Sequence, residues 1–258
     1  MRKVFLALLA VVLCLQFIKA QSTIVTHEYR KVAPSDVEEY IKRETTYWKV
    51  FAENEVKKGN LMFWGIFQRI DGTNLENDAN ILIINRFKDI DKGADWASIT
   101  DLFPDVDMEK MNTWGLSTTT ARIFIQDSPN NHIRKPNSVP ENDYKYVRFI
   151  YHNVNNLGTH LTFEAEKWKP LVERAWAEGK TTMMGWGNGT IILPESDAFN
   201  YDSYSYDIFP SMQAALGAGF SDDLSIPEGF WTPLEGNYDG PRNAHLYRVV
   251  AAVNAPAE

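Results

Sequence analysis

Residues 40 to 65, YIKRETTYWKVFAENEVKKGNLMFWG, lie without a gap over residues 160 to 185, HLTFEAEKWKPLVERAWAEGKTTMMG. Six of the 26 positions are identical: Glu44 and Glu164, Trp48 and Trp168, Lys49 and Lys169, Glu53 and Glu173, Gly59 and Gly179, Gly65 and Gly185. A fixed offset of this kind constrains a fold more than any local propensity. Each copy must form the same unit, and the two must between them bury whatever face one copy leaves open.

The elements read separately in each half agree with that overlay. In the first half "TIVTHEYRKV" predicts a strand. "PSDVEEYIKRETTYWKVFAENEVKKG" predicts a helix opened by a Ser35/Glu38 capping box and closed by Gly59. "LMFWGIFQRI" and "NILIINRF" predict strands, "DIDKGADWAS" a second helix and "TTARIFIQD" a fourth strand. The second half repeats the order: strand "KYVRFIYHNV", helix over 157 to 178, strands "TTMMGWGNGTIIL" and "YDSYSYDIF", a short helix over 208 to 217, and strand "AHLYRVVAAV". Residues 127 to 143, polar and with three prolines, read as a linker. Each half is therefore β-α-β-β-α-β, the ferredoxin-like split unit whose helices cover one sheet face. Two copies in one chain can cover each other's open face. The expected class is α+β, with residues 1–20 a leader, 21–135 the first ferredoxin-like repeat and 136–258 the second.

With its long first helix ending in Gly and a second strand carrying "FWG" or "MMG", the unit resembles the dimeric α+β-barrel superfamily. That group includes antibiotic-biosynthesis and haem-degrading monooxygenases and the NIPSNAP and EthD-like proteins. The chain looks like a tandem fusion of two such units, an intramolecular dimeric α+β barrel. The resemblance implies a ligand cleft between the helices and sheet of one unit. Its haem-degrading members carry a His on the second helix of the unit; neither "DIDKGADWAS" nor "DIFPSMQAALG" has one, and no cofactor is expected.

On a helical wheel Val37, Ile41, Trp48, Phe51 and Ala52 form an apolar stripe with Glu44 near its centre. Leu161, Trp168, Leu171, Val172 and Ala175 do the same around Glu164. A carboxylate facing a sheet must be hydrogen-bonded, paired or neutral, and desolvation raises its pKa toward the range of a general base. Glu164 and Glu44 are thus the candidate catalytic groups, with His152 and His245 on strands of the second half as companions. The competing reading gives each glutamate a structural partner on a strand. Candidate ligand contacts are Trp48 and Trp168 beside the glutamates, Trp64, Trp186 and Tyr204 on strands, and Arg122; plain core packing competes for the aromatics. The five histidines show no metal-ligand spacing, so no metal is expected. "NGT" at Asn188 reads as a turn, or as a glycosylation sequon in a host that uses one.

The chain opens MRKVFLALLAVVLCLQFIKA, a basic start and an apolar run ahead of Ala20, which predicts a secretory signal cleaved after Ala20 and an exported, periplasmic or extracellular product. The only cysteine, Cys14, lies inside that leader, so the mature chain would hold neither disulfides nor thiolate sites. Loss of Arg2, Lys3 and Lys19 makes the formal charge of −8 three units more negative, which disfavours nucleic acid and anionic membranes as partners. Internal pairing of the repeats points to a monomeric pseudo-dimer, with further homo-oligomerisation left open. The functional expectation is a small apolar or aromatic molecule bound in a helix–sheet cleft, with or without its metal-free transformation. The alternative is a non-catalytic scaffold contacting a protein or glycan through its long loops, residues 99 to 118 and 218 to 242.

Overall fold

The computed structural model describes residues 23–72, 78–194, 200–217, 219–240 and 242–255; the expected leader lies outside them. Among these residues nine strands form one sheet: β1 Ile24–Val32, β2 Leu61–Arg69, β3 Ile81–Phe87, β4 Ser117–Asp127, β5 Ile133–Arg134, β6 Tyr146–His152, β7 Gly185–Leu193, β8 Ser203–Phe209 and β9 Asn243–Asn254. Their order is β4-β1-β3-β2-β9-β6-β8-β7-β5, and β4 also pairs with β7. Eight strands therefore close into an antiparallel barrel, with β5 appended where Ile133 and Arg134 pair with Trp186 and Gly185.

Each half contributes four consecutive strands in the ferredoxin-like order, and the halves join twice: β2 to β9 through Phe63–Asn254 to Arg69–Tyr247, and β4 to β7 through Phe124–Leu193 to Asp127–Gly189. Closure removes the open edges that a lone four-stranded unit would present. The barrel has two faces, as strand alternation requires. Val25, Phe67, Leu82, Ile84, Ile123, Ile125, Val147, Phe149, Tyr151, Tyr204 and Tyr247 pack inside. Outside, one long helix covers each half.

Helix α1 runs through Val37–Arg43, Glu44–Trp48 and Lys49–Lys57; helix α2 runs through Leu157–Phe163, Glu164–Trp168 and Lys169–Ala177. Tyr40, Phe51 and Ala52 of α1 pack on Trp64, Ile66, Ile81 and Ile83, while Val172 and Trp176 of α2 pack on Trp186, Phe209 and Leu246. Both helices stop at a left-handed glycine, Gly59 with φ +74° and Gly179 with φ +67°, as the sequence predicts. No helix among the described residues is long and apolar enough to cross a membrane.

Three local expectations are corrected. Ser35 and Glu38 form no capping box: Ser35 Oγ donates to Asp36 Oδ1, and the N-cap is Asp36 without a side-chain cap. "DIDKGADWAS" is a turn ending in a 3₁₀ turn, Trp96–Ser98, and only Ile99–Leu102 is α-helical. Gly93 at φ +63° and the capture of the Asp95 N–H by Glu55 hold that stretch out of a helix. The linker carries β5 and a helical turn, Pro140–Asp143.

Candidate functional site

Both long helices contain one turn of π-helix, and in both it starts at the repeated glutamate. The Lys49 N–H bonds the Glu44 carbonyl and the Lys169 N–H bonds the Glu164 carbonyl, each five residues back. Such a turn inserts one residue into the α-helical ladder and re-aims the side chains around it, and it recurs at functional positions. The two carboxyls turn inward, Glu44 at 5% and Glu164 at 6% exposure.

Glu44 is enclosed by structural partners. Thr113 Oγ1 donates to Glu44 Oε1 at 2.9 Å, and the loop bearing Thr113 is clasped to α1 on either side. Trp48 Nε1 donates to the Met111 carbonyl at 2.9 Å, and Arg43 Nη1 donates to the carbonyls of Glu109 and Asn112 at 2.9 and 2.7 Å. Burial pushes the Glu44 carboxyl up to about 7, opposed by the Thr113 hydrogen bond, the nearby Tyr40 hydroxyl and the charge of Arg30.

Glu164 has a different environment. Asn188 Nδ2, on β7, donates to Glu164 Oε2; His160 Nε2, one helical turn earlier, lies 3.6 Å from the same oxygen. His152, at the end of β6, places its ring centroid 4.7 Å from that of His160, and Tyr238 covers both rings at 5.9 and 5.8 Å. Burial pushes Glu164 up to about 8, and it pushes His152 down to about 3 and His160 down to about 4. The group is therefore held neutral around pH 7: two imidazoles and a protonated carboxyl.

On the opposite face of the same strands the barrel opens into a cavity of about 630 Å³, within the 300–1,000 Å³ range of small-molecule sites. Phe63, Phe67, Phe149 and Tyr204 give it an aromatic wall, and Val25, Ile84, Val147 and Val249 an aliphatic one. At one end a polar chain crosses it. Arg86 Nε pairs with Asp127 Oδ2 at 2.7 Å, Asp127 Oδ1 meets His132 Nε2 at 2.5 Å, and His132 Nδ1 meets the Tyr206 hydroxyl at 2.7 Å. Gly187 and Gly189 of β7 make room: a Cβ on Gly187 would meet His132 and the Tyr206 hydroxyl, and one on Gly189 would lie 2.8 Å from Tyr204. Deeper, His27 Nδ1 lies 2.9 Å from the Tyr151 hydroxyl, and burial pushes His27 down to about 3. The cavity lining carries Lys49, Arg86, Arg134 and Lys145 against only Asp127 and Glu141, a local cationic excess in an acidic chain.

The sequence-predicted residues divide among these places. Glu164 and His152 come together, with His160 between them. Glu44 sits alone in the other half, and Tyr204 lines the cavity. Trp64 and Trp186, 2% and 1% exposed, are core under the helices. Trp48 packs on Phe51 and Trp96, and Trp168 on Phe220 and Trp231. Arg122 forks onto Glu28 at 3.0 and 2.7 Å on the surface, and His245 meets Asp71 at 3.2 Å, apart from Glu164. The glutamates lie on the outer sheet face and most of the cavity lining on the inner one, with Lys49 of α1 and Val250 marking where the cavity reaches the helix side of the β2–β9 seam, so most of the volume sits inside the barrel rather than in the expected helix–sheet cleft. Nothing in the sequence brings Arg86, Asp127, His132 and Tyr206 together as a group. Asn188, whose "NGT" setting reads as a turn, is fully buried mid-strand. The alternation Gly185, Gly187, Gly189 was the available signal, marking a strand face that something approaches closely.

No protein-family model and no curated protein matches the chain. Solved structures do match its fold. A candidate monooxygenase from Lactobacillus acidophilus NCFM superposes with a TM-score of 0.55 at 13% identity, over 91% of this chain and 97% of that one. An anthrone oxidase-like protein gives 0.55 at 13%, over 92% and 94%. A candidate monooxygenase from Fusobacterium nucleatum subsp. nucleatum gives 0.51 at 12%, over 91% and 95%. The chain thus has the tandem-fused dimeric α+β-barrel fold; at these identities the likeness extends to the fold alone.

Proposed function

We propose that this chain is an exported small-molecule-binding protein whose ligand occupies the barrel interior. The ligand is an apolar or aromatic body bearing an acidic group: the body lies along Phe63, Phe67, Phe149 and Tyr204, and the acidic group faces Arg86, His132 and Tyr206. One observation carries this reading, a cavity of about 630 Å³ that is apolar along its walls and polar with a cationic excess at one end. Burying a polar end costs little only where donors already converge. Arg86, Arg134 and the Tyr206 hydroxyl supply them. The names of the three fold relatives accord with a small-molecule ligand.

The same polar chain offers a route to chemistry. His132 stands between a buried carboxylate and a phenol, so a ligand proton released beside Tyr206 would have a base within reach. Export rests on the leader-like residues 1–20, and a secreted product beginning at Gln21 checks it.

Binding is tested by thermal unfolding of the purified protein with paired aromatic and aliphatic carboxylates and their uncharged amides. The expected result is that carboxylates raise the Tm and the amides do so less. Val249→Trp, which fills the cavity from β9, should abolish the shift while leaving unliganded unfolding cooperative. A panel in which no carboxylate shifts the Tm, or a shift that survives Val249→Trp, would overturn the reading.

A further inference from the structure

The cluster under α2 poses a question the barrel cavity does not answer. His160 is 1% exposed, yet among the described residues neither of its ring nitrogens has a hydrogen-bond partner, and His152, 3% exposed, leaves Nδ1 without one. Three orphaned nitrogens in one buried place are unusual, since buried polar atoms are nearly always satisfied. All three lie beside a buried carboxyl. One ligand atom each from His152, His160 and Glu164 falls within 4.8 Å of the others.

We infer that His152, His160 and Glu164 form a binding site for a divalent first-row transition metal ion. Two neutral imidazoles and one carboxylate are the donors such an ion takes, leaving further coordination positions open. With bonds of about 2.0–2.2 Å to each donor, neighbouring ligand atoms stand about 3.3 Å apart. His160 Nε2 and Glu164 Oε2 are already at 3.6 Å, and the full set, within 4.8 Å, closes by side-chain rotation. The supporting groups are in place. The Ser205 hydroxyl lies 3.1 Å from His152 Nε2 and fixes that ring with Nδ1 free, and the Asn188 amide holds one carboxylate oxygen, as outer partners of metal ligands do.

The other half provides an internal comparison. At the 120-residue offset Val32 stands where His152 does and Tyr40 where His160 does. Around Glu44 the carboxyl instead accepts from Thr113, and with Val32 and Tyr40 at the matching positions the nitrogen ligands belong to the second repeat alone. Chain spacing hid the set, because His152 lies on a strand and only His160 and Glu164 share the helix. The cavity lies across the sheet, so this site stands or falls separately from the proposed barrel ligand.

The test is to dialyse the full chain, free of any affinity tag, against a chelator and titrate it with Zn²⁺ and with Co²⁺ in competition with a chromogenic chelator. One equivalent of either ion per chain is expected, and bound Co²⁺ should show the visible spectrum of a low-coordinate nitrogen and oxygen set. His160→Gln and Glu164→Gln should each weaken binding at least about 100-fold, while Glu44→Gln leaves it unchanged. Near-ultraviolet circular dichroism separates lost ligation from lost packing, and His152→Gln serves if either variant misfolds. No stoichiometric binding, or binding that survives both His160→Gln and Glu164→Gln, would overturn the assignment.

Discussion

Replacing Glu44 with Gln should stabilise the protein progressively, relative to wild type, as the pH rises. Burial pushes the Glu44 carboxyl from 4.5 to about 7 in the folded chain. The folded state therefore holds a proton that the unfolded state has released, and wild-type stability falls as pH rises between those two values. The slope is about 1.4 kcal/mol per pH unit, and the window integrates to about 3 kcal/mol. At 5% exposure solvent screening removes little of this. Glutamine keeps an oxygen for Thr113 and titrates nothing. Measured by urea or thermal unfolding from pH 4.5 to 8, the difference between variant and wild type should grow by about 3 kcal/mol. For a chain of this size that is about 6–12 °C in Tm. The buried histidines, Glu164 and Asp207 titrate in both proteins and cancel in the difference. A difference that stays flat across this range would mean that Glu44 ionises in the fold as it does in water, and the account of its burial would fail.

Two further outcomes follow from single side chains. Glu55→Ala should cost about 3 kcal/mol in urea unfolding, because the fully buried carboxylate accepts from Lys58 Nζ at 2.8 Å, Asn60 Nδ2 at 2.7 Å and the Asp95 N–H at 3.0 Å; a loss below 1 kcal/mol would show that water replaces it. Gly187→Ala places a Cβ 2.6 Å from the Tyr206 hydroxyl, which should cost about 1–3 kcal/mol and abolish carboxylate stabilisation of the Tm, whereas unchanged ligand shifts would show that the polar chain plays no part in binding.

The repeat, the long helices and most strands are legible in the sequence because each rests on a local period that the fold preserves. Glu44 and Glu164 could be placed facing the sheet for the same reason, although the wheel that placed them assumed an α-helix and the helix has a π-turn there. Their partners were not legible. Thr113 comes from a loop and Asn188 from a strand whose "NGT" imitates a turn. Arg86, Asp127, His132 and Tyr206 meet only because β4 closes on β7, and no window of sequence contains that contact. His132 lay in what reads as a linker. The second helix failed because Glu55, on another element, takes the Asp95 N–H, a tertiary claim that outweighs local propensity.

Closure of both barrel seams within one polypeptide carries a consequence for how the molecule can change. In an assembly of two identical subunits every substitution is made twice, so a side chain useful at one position must be tolerable at its symmetry mate. Here that obligation is gone. Tyr40 can remain a hydroxyl neighbour of Glu44 while position 160 becomes histidine, and Glu55 can lock one helix end while Ala175 leaves the other free. One half can hold the shape while the other diversifies, and each place where the halves differ, starting with 32/152 and 40/160, shows where that freedom has been used.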